Sequence, residues 1–130
     1  MKELSKYVTG HMTVLQLNGR EIETGKCSIF LYKLSMQGMI IISNINFPEG
    51  TDTLLQFQFT VKNKPYTLKA NIDKWIPNSK DGQFTYMVKY QTQNTKEEDD
   101  LFQFVNTLQL ANKNKNLSRV VETSLELSFA

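Results

Sequence analysis

Few side chains in this sequence have the types and spacing to do chemistry. Its 130 residues include one cysteine and one histidine. Cys27 has no partner for an intramolecular disulfide and stands in an apolar run, so it reads as a buried, inert thiol suited to a reducing interior. His11 falls in a strand-like stretch, and no Cys or His pair has metal-ligand spacing. Neither a metal centre nor a Ser-His-Asp relay therefore has a basis. There is no P-loop, no G-x-G-x-x-G and no paired-carboxylate arrangement; Asp52, Asp73 and Asp81 fall at strand edges or in loops. Neither an enzyme nor a cofactor is expected. What is left is a polar corner, Lys33-Leu34-Ser35-Met36-Gln37-Gly38, between two apolar runs. Ser35 can hydrogen-bond to nearby backbone and Gly38 can take a positive φ without steric cost, which together make a tight turn.

Strands on both sides must hold that corner. Residues 27–34 are β-branched and aromatic, with Ile29, Leu31 and, by continuation, Lys33 on one face and Phe30, Tyr32 and Leu34 on the other. Residues 39–43 form the next strand. Upstream, residues 7–8 and 11–17 alternate as a strand ended by Asn18-Gly19, with a polar loop running on to Gly25. Downstream, the turn at 46–50 leads to residues 54–61, where Leu55, Phe57, Phe59 and Val61 alternate with polar residues. Asn63-Lys64-Pro65 turns the chain into a strand over 66–75. A polar loop at 77–82 precedes the last strand, 84–90.

Six turn-linked strands predict a mainly β fold, an antiparallel sheet closed into a barrel. The period then changes. Thr95 can cap a helix whose third residue is Glu98, acidic residues 97–100 suit the positive end of its dipole, and Leu101, Phe104, Val105 and Leu108 recur at helical spacing. This helix should run over 96–112, end in the Asn- and Lys-rich 112–116, and close one end or side of the barrel. Residues 117–130 fit either period, and the reading favours a second helix or a partly ordered arm. The length suits one domain, with 1–112 the barrel and closing helix and 113–130 a C-terminal extension of it.

The formal net charge is only +2 and the basic residues are scattered, which argues against a nucleic-acid or polybasic membrane binder. Phe84, Tyr86 and Trp75 could stack single-stranded nucleic acid, but no basic groove accompanies them. The start of the chain lacks an apolar core of signal-peptide length, and its longest apolar run, 39–42, is far too short to span a bilayer. No membrane insertion and a cytoplasmic location are expected.

The corner also resembles the D/N-x-S-x-x-G signature of the PilZ domain family, with Ser35 and Gly38 at the right spacing and Lys33 in place of the acidic or amide residue. The resemblance extends over about residues 2–110 in the order of elements. It takes in Gly50 before an alternating strand, Trp75 where an aromatic or arginine is common, and a final strand followed by a helix. It implies a six-stranded PilZ-like barrel. Many family members bind cyclic di-GMP through an R-x-x-x-R element before the first strand together with this corner. Guanidinium groups there stack on guanine and fork onto phosphates, while small corner residues let the ligand approach the backbone. The corresponding stretch here, Lys2-Glu3-Leu4-Ser5-Lys6, keeps the charge at the right spacing and loses both planar forks. Lys33 cannot accept the hydrogen bonds that an Asp or Asn would.

The resemblance thus implies a regulatory binding module. The favoured reading is weak or absent cyclic di-GMP binding, with protein contacts in a bacterial motility, pilus or surface-behaviour system. The competing reading is a divergent receptor using Lys2, Lys6, Lys33, Ser35, Gly38 and Trp75. Apolar residues of the C-terminal segment, Leu117, Val120, Val121, Leu125 and Phe129, leave open a homo-oligomer through that segment.

Overall fold

The computed structural model describes residues 2–22, 24–77 and 82–119, with side chains for 8–22, 24–77 and 82–110. Among the described residues seven strands, β1 (Lys2–Leu17), β2 (Arg20–Glu21), β3 (Cys27–Leu34), β4 (Gly38–Ser43), β5 (Thr53–Val61), β6 (Lys64–Ile76) and β7 (Phe84–Tyr90), precede one helix, α1 (Thr95–Arg119). The strand order is β2-β1-β3-β4-β7-β6-β5, and a further β1–β5 pairing closes six of the strands into a barrel. Every pairing is antiparallel. The six barrel strands are those expected from the alternation of the sequence.

β2 is additional. Asn18 and Gly19, at φ 50° and 80°, form a two-residue hairpin that returns Arg20 to Leu17, where a loop was expected. A second two-residue hairpin corrects the turn before β6. Lys62 and Asn63 take φ 51° and 65°, so the turn lies ahead of Asn63-Lys64-Pro65, and Pro65 pairs with Thr60 inside the ladder.

Apolar residues at alternate strand positions fill the barrel, among them Met12, Ile29, Leu31, Met39, Ile41, Leu55, Phe57 and Val88, all fully buried. In β3 the alternation slips. Leu31 lies opposite Ile41 and Lys33 opposite Ile40, so Tyr32 is an extra residue, a bulge. The slip reverses the phase expected for the end of β3: Leu34 is fully buried with Ile29 and Leu31, and Lys33 is turned off the core face.

Helix α1 seals the end of the barrel where β7 finishes. Phe104 is fully buried, with its ring 5.1 Å from that of Phe59 and 5.3 Å from that of Tyr66. Leu101, Val105 and Leu108 are buried beside it, as their spacing indicated. Gly10 makes room for this seal, since a Cβ there would stand 2.5 Å from the Phe59 ring. Two details of the helix differ from expectation. The Asn94 side chain, rather than Thr95, caps it by accepting from Glu97 N at 2.9 Å, while Glu97 accepts from Gln93 N at 2.7 Å. The helix also continues through 112–116 to Arg119. The expected tail element therefore overlaps α1 as far as residue 119, and residues 120–130 lie outside the described residues.

Phe47 folds in from the β4–β5 loop at the opposite end. Its ring meets Tyr86 edge-on at 5.5 Å, and its N–H donates to the Tyr86 hydroxyl at 2.8 Å.

Candidate functional site

The β3–β4 corner lies at the helix-sealed end. Ser35 N donates to Gly38 O at 2.9 Å and closes the turn. The Ser35 hydroxyl accepts from Gln37 N at 3.2 Å and Gly38 N at 3.3 Å, and approaches Gly38 O as a donor at 3.3 Å. A serine is needed because the same oxygen must both accept and donate within one turn. Gly38 is needed for a reason other than the one its turn position suggested. Its φ is not positive, but a Cβ would lie 2.3 Å from Val88 O, so it is the close approach of β7 that excludes a side chain.

Tyr90, at the end of β7, completes the corner and was missed in the sequence reading. Its hydroxyl donates toward Ser35 O at 2.9 Å and Gly38 O at 3.1 Å, and its N–H reaches Gln37 O at 3.4 Å. Burial pushes this phenol well above the usual tyrosine range. The signal in the sequence was only a tyrosine closing the last strand; its partners stand more than 50 residues away in the chain.

Of the residues expected at a ligand site, the fold brings some together. Lys33 is half-buried, with its ammonium 5.4 Å from the Tyr32 ring centroid. The β1–β3 register sets Lys2 opposite Leu34 and Glu3 opposite Lys33, so the chain start runs along the corner; Lys6 falls in the irregular stretch between Glu3 and Val8. Lys89, opposite Gly38, adds a further cation, 4.0 Å from Asp73 Oδ1. Trp75 is not part of this group. It pairs with Tyr86, three positions along β7 from Lys89 and so about 10 Å away. Its indole N–H donates to Phe47 O at 2.9 Å, an anchor for the loop that closes the other end.

The remaining candidates are structural or solvent-facing. Cys27 Sγ donates to Met12 O at 3.4 Å, and burial raises its pKa. His11 is exposed on the outer face between Ser28 and Gln58. Among the described residues no three His, Cys, Asp or Glu side chains are grouped to hold a metal, and no helix is long and apolar enough to cross a membrane. A groove of about 290 Å³ opens beside Tyr90, between Lys69 on β6 and Lys96, Glu97 and Asp100 on α1.

A closed six-stranded antiparallel barrel sealed by a C-terminal helix, with an S-x-x-G corner between two of its strands, is a PilZ-like fold. The crystal structure of the PilZ domain of CeSA from a cellulose-synthesizing bacterium matches this chain with a TM-score of 0.55 at 14% sequence identity, over 82% of this chain and 96% of that one. No protein-family model and no curated protein sequence matches the chain.

Proposed function

We propose that this chain is a PilZ-like regulatory binding module that acts through a protein partner in a bacterial motility, pilus or surface-behaviour system and holds cyclic di-GMP weakly or not at all. One observation carries the reading: the corner's polar groups are committed inside the protein. Ser35 Oγ serves the turn, and the carbonyls of Ser35 and Gly38 share the Tyr90 hydroxyl. A nucleotide arriving there meets lysine ammonium groups, which attract phosphate as point charges and supply neither a guanine-stacking plane nor a bidentate fork.

The β1–β3 register favours a second reading, a divergent receptor, because it lays the backbone of Lys2 and Glu3 against Leu34 and Lys33. In that reading Lys2, Lys6 and Lys33 meet phosphates beside Ser35 and Gly38. Trp75 would belong to a separate surface.

Calorimetric titration with cyclic di-GMP at low and moderate salt separates the two. The adaptor reading expects no heat and no thermal shift at millimolar ligand. Saturable micromolar binding that weakens with salt and disappears in Lys6→Ala and Lys33→Ala would replace it with the receptor reading.

A further inference from the structure

The outer surface of the barrel is not uniform. On β5 and β6 the outward positions carry Gln56, Gln58, Thr60, Thr67, Lys69 and Asn71, as a solvated sheet face requires. Across β3, β4 and β7 the outward positions are apolar instead. Phe30, Ile40, Ile42 and Met87 alternate with fully buried core residues such as Leu31, Ile41 and Val88, and so stand on the outer face. Phe30 is 38% exposed and the other three are half-buried. β4 is therefore apolar on both faces, the pattern of a strand that is covered on both sides.

The strand registers arrange this face in rows. Phe30 lies opposite Ile42 and Ile42 opposite Thr85; in the next row Lys33 lies opposite Ile40, Ile40 opposite Met87, and Met87 opposite Lys74. The second row thus has a lysine at each end and apolar side chains between. Three interstrand steps, about 14 Å, separate the two lysines. Neither forms a salt bridge with a described residue, and Asp73, at the bulge between Ile72 and Lys74, is instead 4.0 Å from Lys89 Nζ.

The strands limit what can cover such a face. β3, β4 and β7 each have a neighbouring strand on both sides, so no backbone edge is free for an added strand along these rows, and an occupant must dock through side chains. A second copy laid face to face would bring the lysines of both copies into one interface, like charge with like. A helix lying across the strands along the second row fits better. At 1.5 Å rise per residue, acidic side chains about nine residues apart on it would each meet a lysine, while an apolar stripe between them would rest on Ile40, Ile42 and Met87.

We infer that the outer face of β3, β4 and β7 is the docking surface for an acidic amphipathic helix of a partner protein, with Phe30, Ile40, Ile42 and Met87 taking its apolar stripe and Lys33 and Lys74 its flanking carboxylates. The inference rests on the adaptor reading and gives the partner a chemistry.

Fluorescence anisotropy of the full chain with labelled synthetic helical peptides tests it. The probes carry a leucine stripe between two glutamates set about eight to eleven residues apart, and a matched set has lysine in place of glutamate. The acidic set should bind saturably and weaken as salt is added. Combining Lys33→Glu with Lys74→Glu should weaken that binding by roughly tenfold or more and create affinity for the lysine set. Ile42→Lys should lose the acidic peptides as well. Circular dichroism should report an unchanged fold for each variant, because all three side chains are off the core face; should Ile42→Lys fail to fold, the charge reversal decides alone. Equal binding of the acidic and basic sets, binding of neither, or indifference to the charge reversal would overturn the inference. So would co-sedimentation with phosphatidylglycerol vesicles that the charge reversal abolishes, which would give the face to a membrane. The adaptor reading is decided separately by the cyclic di-GMP titration: a face that refuses the peptides while the titration stays silent leaves an adaptor that uses another surface.

Discussion

Ser35, Gly38 and Tyr90 show how differently single residues declare themselves. The serine was legible, because an S-x-x-G turn needs a hydroxyl that bonds to its own backbone, and Ser35 does so. The glycine was legible as a turn residue, but its cause was not, since the carbonyl that excludes a side chain belongs to Val88 on a distant strand. Gly38→Ala should therefore destabilise the fold by about 1–3 kcal/mol, the usual range for forcing a methyl into filled space. Urea unfolding would measure it. Tyr90→Phe leaves two carbonyls with one donor fewer and should lower stability by about 1–2 kcal/mol, with faster amide exchange at Gln37 and Gly38. The buried phenol also gives pH a role. Its folded pKa is raised, so its contribution is complete below the unfolded value near 10 and is lost as pH rises beyond that. Thermal unfolding between pH 8 and about pH 11 should show this loss, reduced in Tyr90→Phe; Tyr86, raised in the same direction, supplies part of what remains.

Elements were read well where one period held throughout and poorly where it slipped. β5 alternates without interruption and was legible. β3 carries a bulge at Tyr32, and an uninterrupted alternation sends Lys33 inward and Leu34 outward, the reverse of what is found. No local signal marks such a bulge; it follows from how β3 and β4 must coil to close the barrel. The helix start illustrates competition between neighbouring caps. Asn94 and Thr95 are both competent, and Asn94 prevails because Glu97 then lies where it can reach back to Gln93 N. Asn94→Ala should cost about 1 kcal/mol in thermal stability, and Thr95→Ala much less.

The whole molecule depends on one seal. The strand count and closure into a barrel were legible from turns, alternation and the cost of open edges, whereas the particular β1–β5 pairing that closes it joins stretches about 40 residues apart and has no local signal. The backbone at Lys2 is laid along the corner by the pairing of β1 with β3, and Trp75 is kept from it because β6 meets β7 too far along. Phe104 closes the end against Phe59 and Tyr66, so Phe104→Ala should cost about 3–5 kcal/mol, measured by denaturant unfolding.

That seal has a consequence for the order in which the molecule can be made. β1 is the first strand of the chain, yet its second neighbour, β5, is complete only at Val61, the last barrel strand only at Tyr90, and the plug at Phe104 only after that. During synthesis the apolar inner faces of the early strands wait, unpaired, for residues not yet joined to the chain. A chain stopped at Asn94 should have all six barrel strands but leave Phe59 and Tyr66 uncovered at one end, where a hydrophobic dye binds, and addition of the α1 residues should abolish the dye signal. Completion of the barrel is thus tied to the arrival of α1.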